Sequence, residues 1–296
     1  MRIPIFTDEV DTQGGWHGAQ LAKAFATHSV EAVFVSLRDC LIDLSEQRPR
    51  IQIPYFNDLP KAAFVRGIAG GTLQQITTRL NILHMLKMQA VLIYNDAKAI
   101  ERTVDKGMTS FLLHQAGIKT PQTWVCESRE LAHKIMAHEI LNTQKALIIK
   151  PLFGSQGQGV RLASQPFPVP MDKCVDGVFY LQTFIQSSHD YRVFVVNNQA
   201  IAAMRRSGES WLHNVALGAD CEAIDDAEIL NLAEKAAKTL DIAYCGVDII
   251  RDESGALTVL EVNSIPAWRG LQSVTQTNIA QALVDDCLNL VSTIDL

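Results

Sequence analysis

Two short stretches carry residue types that could do chemistry together. The first is Lys150-Pro151-Leu152-Phe153-Gly154-Ser155-Gln156-Gly157-Gln158-Gly159-Val160. Its glycines follow an apolar run, Ala146–Lys150, with the composition of a buried strand. Glycine lets the backbone approach a ligand closely and adopt positive φ, so successive N–H groups can converge on phosphate oxygens. Lys150 would add a positive charge beside them. No Gly-Lys-Ser/Thr follows, so this is not a Walker loop, and the spacing departs from a dinucleotide fingerprint. Taken alone, the run reads equally as a phosphate cradle or as a flexible hairpin turn.

The second stretch, Cys245 to Asn263, has strand–turn–strand composition. With Glu253–Ala256 as the loop, Asp252 pairs with Leu257, Ile250 with Val259, and Asp248 with Glu261. Side chains alternate along a strand, so Glu261 and Asn263 share a face. Two acids placed opposite each other repel. A hard cation removes that conflict, and two carboxylates with an amide oxygen suit Mg²⁺. The alternative is a solvated pair of acids at a sheet edge. On this register Val247, Ile249, Leu260 and Val262 form an apolar face, while Ile250, Val259 and Leu257 accompany the acids, which fits the floor of a cleft better. Arg192, Arg205 and Arg206 supply planar donors for phosphoryl or carboxylate oxygens, or are solvated charges at strand ends.

Other chemistries lose ground. The eight histidines include no His-Glu-x-x-His, there is no Gly-x-Ser-x-Gly elbow, and no two of the six cysteines form Cys-x-x-Cys. Scattered cysteines fit a reducing, cytoplasmic setting. The net charge of −6 comes without a basic block, against a nucleic-acid or membrane-surface binder. At 48% hydrophobic and 20% charged, the composition is globular, and 296 residues predict about two units.

The elements that must position these residues divide near residue 95. Residues 1–95 alternate strand and helix signals: strands at Ile3–Phe6, Ala32–Leu37, Ala62–Arg66 and Ala90–Tyr94, with a helix from Thr72, whose Gln75 completes a capping box. That pattern predicts a parallel α/β layer. Residues 96–296 predict lobes of about 96–185 and 186–296. Helices fall at Ala97–Thr103, Lys106–Gln115, Arg129–Leu141, from an Asp225 cap to Leu240, and at Ile279–Val291. Strands fall at Thr123–Cys126, Ala146–Lys150, Phe179–Phe184, Tyr191–Val196 and Ala200–Arg205.

Lys150–Val160, Gln182-Thr183-Phe184-Ile185, Asp190-Tyr191-Arg192, Gly246-Val247-Asp248 and Leu260-Glu261-Val262-Asn263 occur in an order that resembles the ATP-grasp superfamily, specifically RimK-like carboxylate–amine ligases. The resemblance covers roughly residues 95–290, and the front unit is similar to a pre-ATP-grasp domain. Val65-Arg66-Gly67-Ile68, the run from Gly70, Ala99–Lys106 and Trp268-Arg269-Gly270-Leu271-Gln272 look most like tetrahydromethanopterin:glutamate ligases. The resemblance implies ATP and Mg²⁺ as cofactors, with Mn²⁺ an alternative ion. Lys106 and Lys150 would contact phosphates under a lid containing Ser155 and Gly157. Gln182, Thr183 and Phe184 would read adenine, and Asp190 the ribose. Arg205 and Asn214, with Lys150, would support the reaction, and Asp248, Glu261 and Asn263 would hold the metal. Arg66, Arg192 and Arg269 would take substrate carboxylates. Relatives often carry Arg where Leu217 stands, which bears on the bound carboxylate.

The implied activity joins L-glutamate to a small cofactor such as a tetrahydromethanopterin-type pterin through an acyl phosphate. A glutamate ligase acting on a protein or peptide C-terminus or on a carrier protein, and a non-catalytic ATP-binding regulatory module, are the alternatives. The expected partners are a small carboxylate acceptor and an amino acid, with neither nucleic acid nor membrane; a homo-oligomer is compatible with the sequence.

Overall fold

The computed structural model describes residues 1–154, 159–165, 177–208 and 220–294. Ser155, Gly157 and Asn214 lie outside the described residues.

The chain opens with β1 (Arg2–Phe6), α1 (Gly15–Thr27) and β2 (Glu31–Val35). A short antiparallel pair, β3 (Leu41–Asp43) and β4 (Arg50–Gln52), precedes β5 (Ala62–Val65). Then come α2 (Leu73–Met88) and β6 (Leu92–Tyr94). The sheet order is β2-β1-β5-β6, and every pairing is parallel. Such a sheet is buried on both faces, which explains why Ile3, Ile5, Ala62, Phe64 and Val65 are wholly enclosed. Thr72 and Gln75 form the reciprocal cap of α2.

After α3 (Ala97–Val104) and α4 (Lys106–Gln115), β7 (Thr123–Cys126) and α5 (Arg129–Ala137) lead to β8 (Leu147–Lys150), β9 (Arg161–Ala163) and β10 (Phe179–Thr183). These form an antiparallel sheet, β7-β10-β8-β9. One face, with Leu147, Ile149, Phe179 and Leu181, packs on Ala132 and Met136 of α5. Alternation turns Lys150, Tyr180 and Gln182 the other way. The helix expected over Arg129–Leu141 is α-helical only to Ala137 and finishes in a wider π turn over His138–Asn142.

The third sheet contains β11 (His189–Val196), β12 (Gln199–Ser207), β13 (Asp220–Ala223), β14 (Tyr244–Arg251) and β15 (Leu257–Asn263), in the order β13-β12-β11-β14-β15. Between β13 and β14, α6 (Ala227–Leu240) covers one face with Ile229, Ala233, Ala236, Ala237 and Leu240. Its cap is Asp226, which accepts from the N–H groups of Glu228 and Ile229; the expected Asp225 is one residue early. The chain closes with α7 (Arg269–Gln272) and α8 (Ile279–Ile294), which packs along α1.

The front sheet and the five-stranded sheet share a core. Phe64, Tyr94, Phe194, Tyr244 and Trp268 lie in one cluster with Leu283 and Val284 of α8. The Asn95 side chain is fully buried and stitches the seam. Its Nδ2 donates to the carbonyls of Tyr244 and Ser264 at 2.7 and 2.8 Å, and its Oδ1 accepts from the N–H groups of Ala243 and Tyr244.

Candidate active site

The β14–β15 hairpin carries the acids. Asp248 stands opposite Glu261, and Gly246 opposite Asn263, as the sequence predicts. Beyond them the register slips by one residue at a bulge. Ile249 therefore pairs with Val259, Ile250 with Thr258, and Arg251 with Leu257, instead of the expected Ile250–Val259 and Asp252–Leu257 pairs. The slip moves Val259 and Leu257 to the side of Val247 and Ile249, into the core under α6. The bulge thus separates an apolar outer half of the hairpin from its polar inner end.

At that inner end the acids meet arginines. Arg192 Nε and Nη2 donate to Asp248 Oδ1 and Oδ2 at 2.6 and 2.8 Å. Arg206 Nη2 donates to Asp248 Oδ1 at 2.8 Å, and its Nε donates to Asp190 at 2.6 Å. Asp190, Asp248 and Arg206 are all buried. Burial pushes the Asp248 carboxyl up, but the two guanidinium groups outweigh it and hold the group below its usual range. For Asp190 burial wins over Arg206, and its carboxyl rises above the usual range.

These bonds correct three expectations. Arg205 is not at the acids: strand alternation turns it to the opposite face, where it pairs with Glu222 at 2.6 Å and stays exposed. Arg206, one residue on, occupies the place given to Arg205. Arg192, expected to take a substrate carboxylate, is committed bidentately to Asp248. Asp190, expected at the ribose, is committed to Arg206. Sequence alternation from Asp190 and Arg192 across to β12 carries the signal for Arg206, because Asp190 pairs with Arg206.

Asn263 Nδ2 donates to Glu261 Oε1 at 3.1 Å and lies 3.4 Å from Asp248 Oδ2. Two carboxylates and an amide therefore sit side by side, and this hard-oxygen set fits Mg²⁺. Among the described residues, no cluster of three His, Cys, Asp or Glu residues could hold a metal, so the amide of Asn263 is needed to complete a set here.

Two lysines face the acids. Lys150 Nζ donates to Gln182 Oε1 at 2.7 Å; Gln182 Nε2 in turn donates to the hydroxyls of Tyr180 and Thr123 at 3.0 and 3.2 Å. Lys106 is the first residue of α4, and its Nζ reaches the carbonyls of Leu152 and Gly154 at 3.2 and 2.9 Å, at the foot of the glycine run. Burial lowers the pKa of both ammonium groups, while the nearby Glu261 charge works in the other direction. Thr183 and Phe184 lie close to β7 and β8, their N–H groups bonded to the carbonyls of Gln122 and Ala146. A base at this hinge would have to use other groups of the backbone.

Arg66 and Arg269 gather elsewhere. Arg66 follows β5, with its guanidinium 5.1 Å from the Trp268 ring centre, and Arg269 lies 5.9 Å from that of Trp16. His17, between them, is 4.5 Å from Trp268 ring to ring and accepts from the Trp268 backbone N–H at 3.2 Å. Burial first, then Arg66 and Arg269, lowers the His17 pKa to about 4, so its ring is neutral at ordinary pH. Arg66 Nη1 also lies 3.5 Å from the Ile265 carbonyl, two residues past Asn263, which makes this cluster a neighbour of the acids. His17 and Trp16 carried no sequence signal of this role.

A family model for the RimK-like ATP-grasp domain matches residues 103–287. The tetrahydromethanopterin:alpha-L-glutamate ligase of Methanococcus maripaludis is 34% identical, with 98% of each chain covered. A probable alpha-L-glutamate ligase of Maridesulfovibrio salexigens is 30% identical over 69% of each. Among solved structures, the ATP-grasp ligase PsnB with minimal precursor, Mg and ADP superposes with a TM-score of 0.71, covering 98% of each chain at 19% identity, a likeness of fold.

Proposed function

The chain belongs to the RimK-like ATP-grasp family and is an ATP-dependent carboxylate–amine ligase, and we propose that it joins L-glutamate to a small carboxylate-bearing acceptor such as a tetrahydromethanopterin-type pterin. The observation that carries this reading is the opposition of Lys106 and Lys150 to the Asp248–Glu261–Asn263 set, with Gln182 tying Lys150 to β10. Cations and a hard-oxygen set facing one another suit a triphosphate and its ion. The glutamate assignment draws on the names of the relatives.

A carboxylate is a poor electrophile. Its oxygen takes the γ-phosphoryl group, ADP leaves, and an acyl phosphate results. The amine nitrogen then attacks the acyl carbon; phosphate departs, the nitrogen loses a proton, and an amide remains. Catalysis of this kind is positioning and charge neutralisation. Lys106 and Lys150 would hold phosphate oxygens. Arg192 and Arg206 fix Asp248 in one orientation from behind. Glu261, Asn263 and Asp248 would hold Mg²⁺, which supplies positive charge to the phosphates when bound; Mn²⁺ suits the same donors.

The domain division of the sequence is part of the proposal: residues 1–95 present substrate, and 96–296, in lobes of about 96–185 and 186–296, bind nucleotide. The roles of Ser155 and Gly157 in closing over phosphates, and of Asn214 in supporting the phosphates and the acyl-phosphate transition state, are proposed on the resemblance alone; a cytoplasmic location is proposed on the scattered cysteines. Among the described residues, no helix is long and apolar enough to cross a membrane.

The test is mass spectrometry of small-molecule extract incubated with enzyme, ATP, Mg²⁺ and L-glutamate. A glutamyl adduct accompanied by ADP is expected. ATP binding without turnover across acceptors would instead point to a regulatory module, and a glutamylated polypeptide would point to the protein-modifying alternative.

A further inference from the structure

The carboxyl edge of the front sheet holds charge that no carboxylate among the described residues pairs. Arg66 Nε is buried and has no hydrogen-bond partner, and the same is true of Trp268 Nε1. Among the described residues, no carboxylate lies within ion-pair distance of Arg66 or of Arg269, whereas Arg192 and Arg206 are both ion-paired. The Arg66 guanidinium is half-buried with a long bond to one carbonyl, and its enclosed, unpaired Nε donor calls for an explanation. A ligand anion supplies one.

The location supports that explanation independently. From β1 the chain places β2 on one side and β5 on the other, so the strand order reverses between β1 and β5. Open parallel sheets take ligands at the carboxyl ends of the strands beside such a reversal. Arg66 leaves β5 at that edge, and Asp8 leaves β1 there. A Cβ on Gly67 would collide with Asp8 Oδ1, so glycine is what allows the Asp8 carboxylate to lie against the β5 exit. Glu9 and Asp8 are both exposed and have no ion pair among the described residues, yet the charges of both act on Arg66, and of the two only Asp8 lies against Gly67.

Two cations without a carboxylate partner among the described residues stand across this opening from the exposed acids Asp8 and Glu9, a charge arrangement that can take an α-amino dicarboxylate, with its two carboxylates and one ammonium group. We infer that this edge is the amino-acid subsite: Arg66, at the buried end, and Arg269, at the exposed mouth, take the two carboxylates, and Asp8 takes the amino group. The inference rests on the proposed glutamate ligase activity and assigns Arg66 and Arg269, expected to take substrate carboxylates, to the amino acid instead of the acceptor. His17 is a positioning residue here. By accepting from the Trp268 N–H it holds the chain leading to Arg269. The Ile265 carbonyl beside Arg66 joins this edge to the segment that follows Asn263, which brings the amino acid beside the phosphate end of the site.

Calorimetric titration of the full chain, with ADP and Mg²⁺ present, tests the assignment using L-glutamate, glutarate (no amine) and 4-aminobutyrate (no α-carboxylate) as probes. The wild type should bind L-glutamate more tightly than either. Asp8→Asn should weaken L-glutamate about tenfold, the loss of one charge-assisted contact, while leaving glutarate unchanged. Arg66→Gln and Arg269→Gln should weaken both dicarboxylates about tenfold or more, with ADP affinity unaltered; having two such variants guards against one that fails to fold. Preserved discrimination between L-glutamate and glutarate in Asp8→Asn, or unchanged dicarboxylate binding in both arginine variants, overturns the subsite. The glutamyl adduct in extract is read separately. An adduct formed by the wild type together with unaltered titrations in the variants removes only the subsite. Absence of the adduct removes the proposed transfer of glutamate to a small acceptor, on which the subsite rests.

Discussion

The acid hairpin and the front-sheet edge both gather arginines, but they settle the charge in opposite ways. At the hairpin, Arg192 and Arg206 are spent on Asp248 and Asp190, every bond is 2.6–2.8 Å, and the network is closed. At the front edge, Arg66 and Arg269 lie over aromatic rings, and among the described residues neither has a carboxylate to hold. A closed network fixes the shape of a site before any ligand arrives. An open one leaves its hydrogen-bonding capacity for the ligand. The arginines that a sequence reader would offer to a substrate are therefore of two kinds, and partnering tells them apart.

The largest effect should come from Glu261, the member of the Asp248–Glu261–Asn263 set whose carboxylate no arginine holds among the described residues. Glu261→Gln keeps the shape and removes the charge facing Lys106 and Lys150. Turnover should fall by on the order of 100-fold or more, with the melting curve little changed; full activity would refute a metal or phosphate role for Glu261.

The contrast between the two regions is sharpest in a pair of stability measurements. Arg206→Gln strands the buried Asp190 carboxylate and leaves Asp248 to Arg192 alone, and should cost about 3–5 kcal/mol in denaturant unfolding. Arg66→Gln removes a half-buried charge that no carboxylate pairs among the described residues, so the ligand-free protein should be as stable as wild type or more so. Equal losses in both variants would erase the distinction between closed and open networks.

Gly246→Ala probes the closed network from the side. The added Cβ would lie 2.9 Å from both Arg192 Nη1 and Pro266 Cβ, a crowding that costs about 1–3 kcal/mol.

His17 gives the open region a pH signature. Its folded pKa, about 4, lies below the ordinary 6.5, so the unfolded chain takes up the proton first. Its contribution is complete above pH 6.5 and is lost as pH falls toward 4. His17→Gln should flatten that part of the stability curve. The smallest effect should come from Thr72→Ala, which opens the α2 capping box at a cost of about 1 kcal/mol, far from either network.

Much of this arrangement can be read along the chain. Strand alternation and the Thr72–Gln75 cap give the front layer, and Asp248 opposite Glu261 follows from counting back across a turn. The bulge does not follow, since a single extra residue on β15 leaves no compositional mark and yet moves Val259 to the other face. The choice between Arg205 and Arg206 depends on one step of alternation relative to Asp190, a pairing of residues 16 apart across the β11–β12 hairpin. The unsatisfied donors of Arg66 and Trp268 are wholly tertiary: neighbours from four distant segments decide whether a guanidinium finds an acid.

The Asn95 amide has a mechanical consequence. Its four bonds reach the start of β14 and the residue after β15 from the end of β6. The catalytic hairpin is thereby welded to the front layer, and any breathing that admits a nucleotide falls to the sheet bearing Lys150. Amide exchange should run faster through β8 and β10 than through β14; the reverse order would move the joint to Asn95.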